Sequence, residues 1–233
     1  MPTPTTTQAP NPTVPPIPPT PAVPNTPAVP PVPPTPPIPP APPVPPVPGV
    51  VVSDGSTGQA VATVTMQPYN GPVAGVTQQV VSITAESLNI SATAPNLFIH
   101  TGSGTDAIQA SSGTNVLDGG TGSNFVTAGS GTDTVFVDAR GATSDTWSTI
   151  ANFHSGDAAT LWGVSASTSV QSVDGQGAAG ATGLTLHAGA AGGPTASITL
   201  AGFSTADRAS GKVTASFGHD TASGSDYLYV HVN

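Results

Sequence analysis

Large apolar residues recur at a fixed interval of nine through the middle of the chain, at Ile99, Ile108, Leu117, Val126 and Val135. That interval fits neither the helical period of about 3.6 nor unbroken two-residue alternation, so each apolar residue belongs to its own short strand, with a turn before the next. In phase with the column, Gly104, Gly113, Gly122 and Gly131 hold one position of the repeat, and Asp106, Asn115, Asn124 and Asp133 the position two residues on. A recurrent glycine marks a tight turn that needs positive φ or close backbone approach. One such unit buries nothing alone. Stacked, the units bury the apolar column and line both edges with turns. The spacing predicts a parallel β-roll over residues 99–138.

Outside the roll the pattern changes to plain alternation. Residues 61–66 and 80–84, on either side of a turn at 69–72, read as strands that cap the N-terminal end of the roll, assigned to residues 51–98. Beyond it, residues 183–187 and 196–200 alternate across a Gly-rich loop and predict a hairpin. Residues 204–211 start on Ser204 and end on Gly211, which fits one short helical turn. Residues 213–217 and 227–233 read as strands, completing a C-terminal capping region, 139–233. The fold class is all-β, a short parallel β-roll capped by antiparallel strands on both sides and preceded by a Pro-rich arm.

That arm, residues 1–50, is a different polymer. Pro-Pro and Pro-x-x-Pro runs alternate with Val, Ile, Thr and Ala, with no charged residue. It is expected to be disordered, largely polyproline II, and to serve as a linker or stalk; no Lys or Arg flanks its Pro-x-x-Pro motifs to favour docking. The opening Met-Pro-Thr-Pro has no basic region followed by an apolar one, so no Sec-type signal is expected, and no apolar run is long enough to span a membrane.

Charge narrows the partners. Arg140, Arg208 and Lys212 are the only basic residues besides histidine, against twelve acidic ones, and the net charge is −9. Nucleic acid and anionic membranes are poor partners for such a chain, and divalent cations better ones. There is no cysteine, which excludes disulfides and thiolate metal sites.

Aligned on the glycines, the segment reads Thr-Gly-Ser-Gly-Thr-Asp-Ala-Ile-Gln (101–109), Ala-Ser-Ser-Gly-Thr-Asn-Val-Leu-Asp (110–118), Gly-Gly-Thr-Gly-Ser-Asn-Phe-Val-Thr (119–127) and Ala-Gly-Ser-Gly-Thr-Asp-Thr-Val-Phe (128–136). It resembles the hemolysin-type calcium-binding nonapeptide repeat of the RTX (repeats-in-toxin) family, Gly-Gly-x-Gly-x-Asp-x-U-x, where U is large and apolar. In that family turns two repeats apart share an ion. The resemblance implies two Ca²⁺ sites, Asp106 facing Asn124 and Asn115 facing Asp133, with carbonyls supplied around Gly102, Gly104, Gly113, Gly120, Gly122 and Gly131. Calcium wants six to eight oxygens at roughly 2.3–2.6 Å. The chain departs from the pattern at Thr101, Ala110, Ala128 and Ser111, and Asn replaces Asp at 115 and 124. Each paired site then carries one formal charge, which predicts weak affinity, about 10⁻⁴ to 10⁻³ M.

The resemblance reaches past the repeats. Asp145, Ile150, Phe153, Gly156, Asp157 and Leu161 are similar to the strand pair that closes RTX rolls, with Ile150, Phe153, Leu161 and Trp162 as its apolar side and His154 and Asp157 as turn residues. The last eight residues, 226–233, are similar to the uncleaved C-terminal signal read by type I secretion machinery, which implies an extracellular location. No catalytic motif is present: no H-E-x-x-H, G-x-S-x-G, P-loop or dinucleotide fingerprint, and Glu86 is the sole glutamate. The expected function is a secreted, non-catalytic module that folds on binding calcium. A structural or adhesive surface protein and the C-terminal module of a larger enzyme are the other readings, and oligomeric state is left open.

Overall fold

A computed structural model describes residues 49–61, 65–189 and 193–233, all within the unit Pro42–Asn233. The Pro-rich arm lies outside the described residues apart from its last two positions, as do residues 62–64 of the first expected strand. The first strands are β1 (Val50–Asp54), β2 (Thr65–Pro68), β3 (Gln78–Ser82), β4 (Leu88–Ala92) and β5 (Leu97–Thr101). The repeats give β6 (Ala107–Ala110), β7 (Asn115–Asp118), β8 (Phe125–Thr127) and β9 (Asp133–Asp138). Then come β10 (Thr146–Ala151), β11 (Ala158–Trp162), β12 (Ser169–Ala178), β13 (Ala181–Gly189) and β14 (Thr195–Ala201). A helical turn, α1 (Thr205–Ala209), precedes β15 (Val213–Asp220) and β16 (Ser225–Val232).

Two sheets face each other. One has the order β1-β4-β6-β8-β10-β14-β13-β12 and the other β15-β16-β11-β9-β7-β5-β3-β2. Each has a parallel middle, β4-β6-β8-β10-β14 in one and β3-β5-β7-β9-β11 in the other. Antiparallel strands close every end: β1 on β4, β2 on β3, the β12–β13 pair on β14, and the β15–β16 pair on β11. Consecutive chain segments alternate between the sheets, so partners in one sheet are two repeats apart: Ala107 pairs with Phe125 and Asn115 with Asp133, eighteen residues on. Between Phe125 and Thr149, and between Thr134 and Ala158, the interval grows to twenty-four. Six extra residues between β9 and β10 account for both.

Ile99, Ile108, Leu117, Val126 and Val135 are all fully buried, extended backwards by Ile90 and forwards by Ile150 and Ala159, with Val137 and Leu161 in the next inward row. Removing a Leu or Ile side chain from water contributes about 1.5–3 kcal/mol, so this column is the main source of cohesion. The hairpin expected at 183–200 is β13–β14. The helical turn has a capping box, in which Ser204 Oγ accepts from Asp207 N and Asp207 accepts from Ser204 N.

The parallel ladders also run beyond residues 99–138. β3, expected as a cap, is a rung paired parallel with β5, which leaves β2 as the cap on that sheet. Likewise β10 and β11 do not close the roll; each is a further rung covered by later strands. Ile150, Phe153 and Leu161 are buried as expected, but Trp162 points outward, one residue out of phase with Leu161, and its ring packs edge-on against Phe136 and Tyr227.

Candidate metal centre

Two rows of side chains run along the edges of the roll, one per set of turns. On the first edge Asp106 Oδ1 accepts from Leu88 N at 2.7 Å, Asn124 Oδ1 from Asp106 N at 2.9 Å, and Ser148 Oγ from Asn124 N at 3.3 Å. On the second, Asn115 Oδ1 accepts from Leu97 N at 3.1 Å, Asp133 Oδ1 from Asn115 N at 3.0 Å, and Asp157 Oδ1 from Asp133 N at 2.8 Å. Each Asx side chain thus satisfies the backbone N–H of the turn stacked beside it, which no ladder bond reaches. The expected pairs, Asp106 with Asn124 and Asn115 with Asp133, are brought together, and all four residues are buried, none above 4 % exposed.

Glycine permits this stacking in a specific way. A Cβ at Gly122 would run into the Gly104 carbonyl oxygen, one at Gly131 into that of Gly113, and one at Gly120 into that of Gly102. Of the four glycines at the repeat's fourth position only Gly113 has positive φ, 84°. Close backbone approach, rather than left-handed geometry, therefore keeps glycine in this column.

The two asparagines place their amides where a cation would draw oxygens together. Asn115 Nδ2 donates to Asp133 Oδ1 at 2.8 Å and to the carbonyls of Ser112 and Gly113 at 3.1 and 3.4 Å. Asn124 Nδ2 donates to the Gly119 and Gly122 carbonyls at 2.7 and 3.1 Å. Other carbonyls of the expected set have backbone partners: Gly102 O accepts from Thr121 N, and Gly120 O from Asp138 N.

The two repeat aspartates differ. Asp133 is complete, its Oδ1 holding two donors of Asn115 and its Oδ2 accepting from Gly129 N at 2.6 Å. Asp106 has one oxygen in use, whereas Oδ2 is buried without a partner among the described residues. A buried carboxylate oxygen lacking a donor is costly. It is also the donor type that a hard cation takes up. The Asp106 turn therefore fits Ca²⁺. The Asn115–Asp133 rung fits it less well, being already filled by its own amide.

Asp157 and Ser148 are rungs that the nonapeptide frame missed, since the six extra residues shift them out of phase. Deleting those residues from the count restores the eighteen-residue interval and would have found both. Asp157 is fully buried, and burial pushes its carboxyl above the ordinary range against the hydrogen bonds from Asp133 and His154. His154 N donates to its Oδ2 at 2.9 Å, while His154 Nδ1 stands 2.8 Å away, at ion-pair distance but without hydrogen-bond alignment. These two are turn residues, as expected; no cluster of three or more His, Cys, Asp or Glu occurs among the described residues.

A family-model comparison agrees with this geometry. Residues 100–135 match the RTX calcium-binding nonapeptide repeat in four copies. The segment is thereby identified as a β-roll of the calcium-binding RTX type. No curated protein and no solved structure matched the chain. No helix among the described residues is long and apolar enough to cross a membrane.

Proposed function

We propose that the chain is a secreted, non-catalytic calcium-binding module whose roll is stabilised by calcium, with the Asp106–Asn124 turns as the first site to fill. The observation that carries this reading is the buried, unpartnered Asp106 Oδ2 inside a repeat of calcium-binding type. Asp106 and Asn124 would hold the ion with neighbouring turn carbonyls and water. Asn115–Asp133 is the second site, and becomes a ligand set only when the Asn115 amide turns away from its three acceptors.

Topology supports a coupling to export. Residues 226–233, the stretch similar to a type I secretion signal, lie almost wholly in β16, an inner strand hydrogen-bonded to β11 and β15. Such a signal is legible only before that sheet forms. Scarce cytosolic calcium would delay folding, and the higher concentration outside would complete it.

A second reading, a structural or adhesive β-roll with incidental calcium, is favoured by the amides of Asn115 and Asn124, which satisfy turn carbonyls without an ion. Calcium titration of the whole chain, followed by circular dichroism and calorimetry, separates the two. Binding heat and a gain of β signal, lost in Asp106→Asn, support the first reading. A roll fully formed in chelator, with no binding heat, supports the second.

A further inference from the structure

On the outer face of the sheet containing β4, β6, β8 and β10 lies a groove of about 650 Å³ that runs across the strands, along the axis of the roll. It continues into a second hollow of about 300 Å³, with Asn89, Ala107 and Phe125 shared between them. The size is that of a ligand site. Its floor is set by the repeat: Asn89, Ala107, Phe125 and Thr149 are register partners on four adjacent strands, and Ser91, Gln109 and Thr127 form the next row. Strands lie about 4.8 Å apart, so the groove offers side chains at a regular short interval.

We propose that this groove binds a neutral glycan. Two aromatic side chains, Phe125 and Trp147, line it. Trp147 is 36 % exposed, one of five large apolar side chains so open among the described residues. Its ring is fixed in place: Nε1 donates to Thr199 Oγ1 at 2.8 Å, the His187 ring packs edge-on at 5.2 Å, and its backbone N donates to Ser123 Oγ at 3.0 Å. An indole with its N–H occupied and its surface open presents an apolar platform with little ordering cost, the surface on which the C–H face of a sugar ring rests. Around it stand Ser, Thr, Asn and Gln, whose hydroxyls and amides donate and accept as sugar hydroxyls do.

Charge selects the ligand class further. In a chain of net charge −9, the linings of both hollows contain one ionisable side chain, Asp106, which is 2 % exposed. No exposed charged side chain there would attract an anionic or cationic polymer. The regular rows match a polymer with repeating units better than a single compact molecule. The Gly177–Ala178 segment of β12 walls one end, tied to the floor by Ala178 N donating to Thr149 Oγ1 at 3.2 Å.

The test uses the whole chain in calcium-containing buffer, so that it does not depend on where calcium binds. Cellohexaose, chitohexaose, maltohexaose and xylohexaose are titrated by calorimetry, with polygalacturonate and heparin as charged probes. Trp162→Phe leaves Trp147 as the sole indole, whose fluorescence should shift on binding. We expect at least one neutral oligomer to bind, Trp147→Ala to weaken it at least about tenfold, and Asn89→Ala about threefold to tenfold. Both variants should keep the parent's circular dichroism. Asn89 is exposed, so its variant tests the groove even if loss of Trp147 disturbs the sheet. Silence with all four neutral probes, binding of the charged probes alone, or binding unchanged in both variants would overturn the proposal.

Discussion

The two edges of the roll are built from the same repeat, yet they finish differently. On one, Asp133 takes three donors and hands the chain of bonds on to Asp157, so every oxygen of that carboxylate is occupied by protein. On the other, Asp106 takes one donor and leaves a buried oxygen bare. The difference lies in two donors. Gly129 N of its own turn fills Asp133 Oδ2, and the Asn115 amide, which also meets carbonyls of its own turn, reaches Asp133 Oδ1; Asn124 offers Asp106 only an acceptor, which meets the backbone N–H. An Asn in place of Asp therefore does not simply weaken a site; it can supply the donor that a cation would otherwise replace.

The largest expected effect breaks the complete edge. Asp133→Ala strips the acceptor from Asn115 N, Asn115 Nδ2 and Gly129 N, all inside a buried turn. Asn115 Nδ2 keeps the Ser112 and Gly113 carbonyls, so two backbone donors are stranded at about 1–3 kcal/mol each, and the loss should reach at least about 2 kcal/mol. Because protein groups supply these bonds, denaturant unfolding should show that loss in chelator and in calcium alike. A loss confined to calcium-containing buffer would show that Asp133 is chiefly a metal ligand.

Next in size is a steric change that acts without an ion. Gly122→Ala on one edge and Gly131→Ala on the other drive a methyl into the carbonyls of Gly104 and Gly113. Overpacking of this kind costs about 1–3 kcal/mol, and in chelator the two variants should match within about 1 kcal/mol. Gly141→Ala is the control. It lies in the six-residue insertion with nothing within 4 Å of its missing Cβ, so only its positive φ of 68° is penalised.

A smaller effect should belong to the open edge alone. Asp106→Asn keeps the acceptor for Leu88 N and removes the charge, so stability in chelator should change by less than about 1 kcal/mol. In calcium at ten times the dissociation constant the parent gains about 1.4 kcal/mol, which the variant should lack. Asn124→Asp runs the other way. It deprives two turn carbonyls of their donor and adds a second carboxylate, so the roll should weaken in chelator and bind calcium more tightly.

The roll was legible because its signal is periodic: one apolar, one Gly and one Asx column fix the repeat and the inward side chain. The facing of Asp106 with Asn124 and of Asn115 with Asp133 came from the resemblance to the RTX repeat, in which turns two repeats apart share an ion. The extent of the roll was not legible. β3 and β4 contribute rungs without the glycine signature, because Val80 and Ile90 need only to fill the column. β10 and β11 are displaced by the six extra residues. Trp162 misled because a large apolar residue beside Leu161 suggests core, while strand parity sends it to the face. Both asparagines turn the amide to carbonyls of their own turn, and only Asn115 also reaches a carboxylate, because the residue eighteen on is Asp133.

The smallest effect tests a rung of the same eighteen-residue interval on a face rather than an edge. His100 Nδ1 stands 2.8 Å from Asp118 Oδ2, bridging β5 and β7 on the outside of the roll. The hydrogen bond to Asp118 raises the His100 pKa above 6.5, burial opposes it, and the charges of Asp118 and Asp138 add to the rise. A histidine pKa raised on folding means the folded state holds its proton more tightly. The pair's stabilisation is then fully present below pH 6.5 and disappears as pH climbs through the higher folded value. With partly exposed partners the effect should stay below about 1 kcal/mol. Unfolding free energy measured in chelator from pH 5.5 to 8.5 should fall across that window, and His100→Gln should flatten the fall. A slope that persists in His100→Gln would place the sensitivity outside this pair.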